Sequence, residues 1–180
     1  MLPIGAYIDI VRELVQPDQW VHSVLDIHPD RLVSNGYTSV FLDVDNTLMS
    51  YNQYKVGLQH FNWVLGLKSA GLKVFLLSNN SRKARILRVS NQLTVNGIYF
   101  ACKPLSYSIR TLAELEGLDL SSSLIIGDQI VTDVALGKWL KMHTILVEPV
   151  DKHSSTIKSI QHSIERAFLK WINPRLKITR

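Results

Sequence analysis

The sequence predicts a three-layer α/β fold, in which helices cover both faces of a central parallel sheet. Three observations support this prediction: short apolar runs recur along the chain, helix-forming segments separate them, and polar residues stand directly after several of the runs. Continuous apolar runs of this length are typical of strands that are covered on both faces. Strands that alternate with helices favour right-handed crossovers, and therefore a parallel sheet.

Five apolar runs are the predicted strands, and helical patterns lie between them. The predicted strands are residues 39–43, 72–78, 97–101, 123–128 and 144–147. The predicted helices are residues 56–69, 81–92, 105–116 and 130–140. Helical spacing places Leu58 on the apolar side of the first helix. In the second helix it places Leu87 and Val89 on the apolar side, with Arg85 among the basic residues opposite.

The N-terminal segment, residues 1–37, predicts two short helices. Asp18 stands before an apolar stretch as the start of the second helix, and Asn35-Gly36 forms the turn that ends it. The core of the fold is expected at about residues 38–150, within one domain that spans residues 1–180.

The C-terminal segment, residues 151–180, predicts an amphipathic basic helix over about residues 154–172. Its apolar side includes Ile164 and Phe168, and basic residues lie mostly elsewhere on the helix. A helix of this kind either packs on its own domain or lies on a membrane surface, and the sequence leaves both readings open.

Composition indicates a globular protein of the cytoplasmic type. The chain has 180 residues, of which 46% are apolar and 19% are charged. We find no apolar run of about 18 residues, as a membrane span requires, and no pattern of a cleaved signal peptide. The single cysteine, Cys102, excludes an internal disulfide. The net charge of +5 suits a phosphorylated substrate, a nucleic acid or an anionic membrane, and it selects none of them.

Two aspartates, Asp43 and Asp45, end the first predicted strand. Residues two apart in an extended strand point to the same face, so both carboxylates can address one ligand. Neighbouring carboxylates repel each other unless a cation lies near them or one of them is protonated. Mg²⁺ prefers oxygen ligands, and one carboxylate could attack phosphorus while the other protonates the leaving oxygen. The alternative is that both acids only cap the next turn.

Three further polar segments follow later strands. Residues 78–81, Ser-Asn-Asn-Ser, open a basic helix, where they either bind an anion or act as an N-cap. Lys103 follows the third run and could neutralise a phosphate oxygen and hold a carboxylate, unless it is solvated surface. Asp128 ends the fourth run as a candidate metal ligand, and Asp133 could support it or Lys103.

In this order the four segments resemble the signature motifs of the haloacid dehalogenase (HAD) superfamily, over about residues 39–150. The resemblance implies a Rossmann-like HAD fold and phosphoryl transfer through an aspartyl-phosphate, with Asp43 as nucleophile and Asp45 as general acid and base. The implied phosphate-binding residues are Thr47, Ser78, Asn79 and Lys103. The implied magnesium ligands are the carboxylates of Asp43 and Asp128 and the backbone carbonyl of Asp45, with Asp133 in support. The dehalogenases that name the superfamily lack the second acid and the metal, so Asp45 favours phosphate chemistry.

The spacing of the motifs indicates a member without a cap domain. Only 35 residues separate Asp43 from Ser78, and 25 separate Ser78 from Lys103, so each interval holds little more than one helix and its loops. Among cap-less members, of subfamily IIIA, the motifs are similar to those of the YqeG family of bacterial HAD phosphatases. That family is in turn similar to the mitochondrial phosphatidylglycerophosphate phosphatases.

We therefore expect a magnesium-dependent phosphomonoester hydrolase, with phosphatidylglycerophosphate as a candidate substrate. One alternative is a soluble phosphatase that acts on nucleotides, sugar phosphates or phosphoproteins. Another is an interaction protein that kept the HAD fold with weak catalysis. Peripheral contact of the basic C-terminal helix with the inner face of a membrane and an oligomeric state are left open, and no nucleic acid partner is expected.

Overall fold

A computed structural model describes residues 4–151 and 163–170, and it is built around one parallel sheet. The strands are β1 (Gln19–Val21), β2 (Ser39–Leu42), β3 (Lys73–Leu77), β4 (Asn96–Ile98), β5 (Ser123–Gly127) and β6 (His143–Val147). All neighbours pair in parallel, in the order β1-β6-β5-β2-β3-β4. The five predicted strands are thus confirmed, with ends that shift by a few residues.

Helices connect the strands as the sequence predicts. They are α1 (Ile4–Val15), α2 (Pro29–Ser34), α3 (Leu58–Ser69), α4 (Lys83–Leu93), α5 (Tyr107–Glu116), α6 (Ala135–Trp139) and α7 (163–170). A π-helical turn, Ile130–Val134, runs directly into α6, and 3₁₀ turns lie at Val24–Asp26 and Leu120–Ser122. Asn35-Gly36 ends α2 as predicted, with Gly36 at a φ of 86°.

The sheet separates two apolar layers, which confirms the three-layer fold. In β2, Val40 and Leu42 point into a cluster shared with α3 and α4, whereas Phe41 points into the opposite cluster, shared with α5 and α6. This alternation follows from the two-residue period of a strand. No further domain interrupts the fully described stretch between Asp43 and Lys103, so the site of the motifs carries no cap there.

The N-terminal segment differs from the prediction, because residues 19–21 form the edge strand β1 and not the start of a helix. Trp20 and Val21 pair with Leu146 and Val147 of β6. Asp18 is not a helix cap. Its carboxylate accepts hydrogen bonds of 2.8 Å from both the backbone N–H and the hydroxyl of Thr144, and it binds Lys138. Pairing with β6 thus overrides the local helical pattern.

The predicted faces of two helices were wrong in part, although Val89 of α4 is buried as predicted. Leu58 at the start of α3 is 74% exposed, and Leu87 in α4 is 42% exposed. The buried side of α4 includes Ile86 and Arg85, so the basic residue that the pattern placed in solvent lies inside the protein. Arg85 binds buried acceptors from other parts of the fold, and these contacts lower the free-energy cost of burying its charge. A pattern of hydrophobicity takes no account of such contacts.

The described part of the C-terminal helix, α7, packs on the domain. Leu169 is buried and Phe168 packs beside it, against Trp20, Ile130 and Val134. Ile164, which was predicted on the apolar side, is exposed. The rest of the predicted helix, at 154–162 and 171–172, lies outside the described residues. Within the described stretches, no helix is both long and apolar enough to cross a bilayer.

Candidate active site

The four polar segments meet at one edge of the sheet. Asp43 directly follows β2, Ser78 follows β3 and Asp128 follows β5, and these three strands are neighbours in register. Lys103 lies in the loop after β4, the next strand along. Because parallel strands bring their carboxyl ends to the same edge, motifs that are far apart in sequence converge there.

Lys103 is the centre of the arrangement. Its ammonium lies 2.6 Å from Asp43 Oδ1 and 2.6 Å from Asp133 Oδ1, and it donates a third hydrogen bond of 3.1 Å to the carbonyl of Leu77. All three charged side chains are buried. Burial alone would lower the pKa of Lys103, but Asp133 and Asp43 raise it above its usual value, so this lysine stays charged.

The carboxylates around Lys103 carry more negative charge than it can balance. Burial raises the pKa of Asp43 to about 7 against the lowering effect of Lys103, and the charges of Asp133 and Asp45 add to the rise. Burial also raises the pKa of Asp133, although Lys103 opposes this. Asp128 is buried beside them. A further cation at this edge would offset the excess charge.

The donor atoms fit a magnesium ion. Carboxylate oxygens of Asp43, Asp128 and Asp133 all lie within 4.8 Å of one another. Asp133 is already engaged, because Oδ1 binds Lys103 and Oδ2 accepts the Gln129 N–H at 3.1 Å. Asp43 Oδ2 is buried and accepts no hydrogen bond from the described residues. Asp43 and Asp128 therefore offer the hard oxygen ligands that Mg²⁺ prefers, and Asp133 supports Lys103.

Asp45 faces a different set of partners. Its Oδ1 lies 2.7 Å from a guanidinium nitrogen of Arg85, and its Oδ2 accepts hydrogen bonds from the Ser78 hydroxyl at 3.3 Å and the Asn80 amide at 3.1 Å. The next residue, Asn46, has a φ of 63°, so the chain turns sharply just after Asp45. The second carboxylate is thus held apart from Lys103, next to the second segment.

Arg85 is a site residue that sequence reasoning missed. Besides Asp45, it binds the carbonyls of Gln53 at 2.9 Å and Ser50 at 3.2 Å, and it is buried. It therefore ties the loop after the first motif to α4. Basic residues at positions 82, 83 and 88 surround it, and no local signal separates the buried arginine from these neighbours.

In the second segment, Asn79 binds the backbone of Lys103, whereas Ser78 is hydrogen-bonded within the segment. The Asn79 side chain brackets the backbone of Lys103, because its amide nitrogen donates to the Lys103 carbonyl at 2.9 Å and its oxygen accepts the Lys103 N–H at 2.7 Å. The Ser78 hydroxyl accepts the Asn80 N–H at 3.0 Å. Thr47 is buried, and its hydroxyl has no hydrogen bond from the described residues.

A cavity of about 230 Å³ opens between these groups. Its walls are formed by Asp43, Asp45, Tyr51, Asn79, Asn80, Ser81, Lys103, Gln129 and Thr132. This volume is below the 300–1,000 Å³ that is usual for sites that enclose a whole ligand, so it suits one small anionic group. The sequence assigns no individual role to Gln129 or Thr132, although both lie in the fourth segment. A larger groove, of about 670 Å³, lies at the amino ends of β3 and β4, away from the carboxylates.

Two comparisons find sequences that are similar to this chain. The family model described as HAD-hydrolase-like matches residues 100–163. The probable phosphatase YqeG from Bacillus subtilis strain 168 is 29% identical over 160 residues, which cover 89% of this chain and 92% of that protein.

Two solved structures share the fold. An uncharacterized protein from Listeria monocytogenes serotype 4b has a TM-score of 0.52 at 12% identity, over 71% of this chain and 99% of that chain. A hypothetical protein from Xanthomonas campestris has a TM-score of 0.53 at 17% identity, over 87% of this chain and 80% of that chain. The chain is thus similar to a probable phosphatase over nearly its whole length, and its motifs converge as the resemblance to the haloacid dehalogenase superfamily implies.

Proposed function

We propose that this HAD phosphatase hydrolyses phosphate monoesters in two steps, with Asp43 as nucleophile and Mg²⁺ as cofactor. The observation that carries the proposal is the environment of the Asp43 carboxylate. Lys103 holds its Oδ1, while its Oδ2 accepts no hydrogen bond from the described residues, and one oxygen of this carboxylate lies within 4.8 Å of an oxygen of Asp128. The carboxylate also lines the cavity of about 230 Å³, which has room for a phosphoryl group.

In the first step, an Asp43 carboxylate oxygen attacks phosphorus and the bond from phosphorus to the leaving oxygen breaks. Asp45 donates its proton to that leaving oxygen. In the second step, Asp45 takes a proton from water, which attacks the aspartyl-phosphate and releases inorganic phosphate and the free Asp43 carboxylate. Mg²⁺ held by Asp43, Asp128 and the Asp45 carbonyl would supply positive charge against the phosphoryl oxygens.

The surrounding residues orient the two carboxylates. Arg85 fixes Oδ1 of Asp45, so Oδ2, beside Ser78, is the oxygen that we propose transfers the proton. Lys103 would neutralise a phosphoryl oxygen as well as hold Asp43. Asn79 lines the cavity but acts chiefly through the backbone of Lys103. Phosphate-binding roles for Ser78 and Thr47 stay predictions, since both side chains are buried.

The charged centre argues against a mere interaction protein. Burying the ammonium of Lys103 and three carboxylates costs free energy that an apolar core of similar volume would avoid. A scaffold that only binds partners gains nothing from this cost, whereas phosphoryl transfer needs each of these groups. We therefore propose catalysis as the function of this edge of the sheet.

Exposed apolar side chains close to Lys103 in the chain favour a substrate presented at a surface. Three apolar side chains around Lys103 are strongly exposed: Phe100 at 62%, Leu105 at 66% and Tyr107 at 81%. One basic side chain stands close to this segment, since the Lys83 ammonium lies 5.2 Å from the centre of the Tyr99 ring. Apolar and basic groups together suit an anionic lipid surface.

We accordingly propose a phosphorylated lipid headgroup, with phosphatidylglycerophosphate as the candidate, as the substrate. Contact with the membrane would use the loop around Lys103. In the described part of α7, Arg166 binds Glu148 and is turned into the domain. Nucleotides, sugar phosphates and phosphoproteins are the alternative substrates, and none of them needs these exposed apolar side chains.

The nucleophile is tested by Asp43→Asn in an assay of phosphate release from an aryl phosphate. Because the amide cannot form the acyl-phosphate, we expect activity to fall on the order of 1,000-fold or more. Asp30→Asn, at an exposed position, is the matched control and should keep full activity.

The metal requirement is tested in the same assay. An excess of chelator should abolish wild-type activity and added Mg²⁺ should restore it. Undiminished activity in Asp43→Asn or in chelator would refute the mechanism.

Gly127→Ala tests the placement of Asp133. A Cβ at position 127 would lie 2.3 Å from Asp133 Cγ, so the carboxylate that holds Lys103 must move. We expect a loss of about 1–3 kcal/mol in the free energy of unfolding and at least a tenfold drop in kcat, measured by chemical denaturation and phosphate release. Gly57→Ala, where a Cβ meets nothing within 4 Å, is the control. Equal kinetics in both variants would mean that Asp133 does not position the site.

The lipid proposal is tested with vesicles that contain phosphatidylglycerol and phosphatidylglycerophosphate. We expect the double variant Phe100→Ser and Tyr107→Ser to lose vesicle sedimentation and lipid dephosphorylation, but to keep hydrolysis of a soluble aryl phosphate. Leu115→Ser, at an exposed position of α5 further along the chain from Lys103, should behave as wild type. Wild-type protein that neither sediments with the vesicles nor releases phosphate from them would favour the soluble alternatives.

A further inference from the structure

The segment that follows β5, residues 128–130, is held by three charged side chains in succession. Arg166 donates to the carbonyl of Asp128 at 3.0 Å, Asp133 accepts the Gln129 N–H at 3.1 Å, and Glu165 accepts the Ile130 N–H at 3.1 Å. Asp133 lies in the same turn, but Arg166 and Glu165 come from α7, more than 30 residues further along the chain. The helix α7 is therefore hydrogen-bonded to the backbone on both sides of Gln129.

Further contacts fix the position of the Arg166 side chain. It donates to Glu148 Oε1 at 3.2 Å and to the carbonyl of Val147 at 2.8 Å, and its guanidinium lies 5.6 Å from the centre of the Trp20 ring. Glu148 in turn accepts the indole N–H of Trp20 at 2.9 Å. The planar guanidinium can bridge several fixed acceptors at once, which a lysine cannot do. Arg166 thus joins the end of β6 to the end of β5.

Glu165 and Arg166 are more deeply buried than charged residues on a helix that only packs on the surface of a domain. Glu165 is buried, and the Arg166 side chain is only 11% exposed. A terminal helix that merely covers an apolar patch keeps its charged residues in solvent, because burying them costs free energy. Here both are turned inward, and both bind the segment that carries Asp128.

We propose that Glu165 and Arg166 are positioning residues that fix the Asp128 carboxylate for a divalent cation. The inference rests on the metal site of the proposed function. Asp128 is buried, and its carboxylate belongs to the cluster with Asp43 in which oxygens lie within 4.8 Å. Mg²⁺ tolerates little departure from octahedral geometry, so a backbone that lets Asp128 shift weakens the site. Groups that orient metal ligands from behind commonly account for 10–100-fold in affinity.

The test is the affinity of the full chain for Mg²⁺, measured by calorimetric titration without substrate. We expect Arg166→Ala to weaken binding by roughly 10–100-fold, Arg166→Lys to rescue little of it, and Glu165→Gln to weaken it less. Lys170→Ala, at an exposed position on the same helix, is the matched control and should bind as wild type does. In the phosphatase assay, saturating Mg²⁺ should restore most of the kcat of Arg166→Ala, since only the metal site is loosened.

The outcomes separate the inference from the proposed function. If the wild type binds no Mg²⁺, the metal site of the proposed function fails. If the wild type binds Mg²⁺ and the variants at positions 165 and 166 bind with the same Kd, the positioning role is overturned. Each titration is run below the unfolding midpoint of the metal-free variant, so that loss of fold does not count as loss of affinity. Should Arg166→Ala fail to fold, Arg166→Lys and Glu165→Gln decide the question.

Discussion

The contact of Lys103 with Asp43 and Asp133 is the interaction on which the site depends. One buried ammonium holds two buried carboxylates at 2.6 Å each, and removing one partner of such a pair typically costs about 3–5 kcal/mol. Its geometry is set from several directions. Asn79 fixes the backbone of Lys103, the Leu77 carbonyl accepts a third hydrogen bond from its ammonium, and the absence of a side chain at Gly127 leaves room for Asp133.

The same contact supports the cation and the phosphoryl group that we propose for this edge. Lys103 donates one hydrogen bond each to Asp43, to Asp133 and to the carbonyl of Leu77, so its charge lies between two of the buried carboxylates. The buried carboxylate oxygens that cluster there suit the divalent cation that we propose, and the cavity lined by Asp43 would admit the proposed phosphoryl group. Asp45 is kept out of this centre by Arg85, which leaves it beside the cavity, where a leaving oxygen would pass.

The sequence predicted the parts of this arrangement that local patterns encode. Buried parallel strands are continuous apolar runs, and the motifs stand where those runs end, so convergence of Asp43 and Asp128 followed from topology. The strand β1 was missed because three residues are too few to show a periodic pattern of hydrophobicity. This strand is recognised only by its pairing with β6. Arg85 and Arg166 were missed because a pattern of polarity assigns arginines to solvent. Their acceptors, which include a carboxylate and backbone carbonyls far along the chain, exist only in the fold.

The most direct test of the account is whether Asp43 carries the phosphoryl group during turnover. Wild-type protein is mixed with Mg²⁺ and an aryl phosphate, quenched in acid within the first turnover, reduced with borohydride and digested for mass spectrometry. The account predicts that residue 43 is converted to homoserine, because borohydride reduces an acyl-phosphate and leaves ordinary carboxylates intact. Phosphate found on Ser78, or full turnover without modification of residue 43, would contradict it.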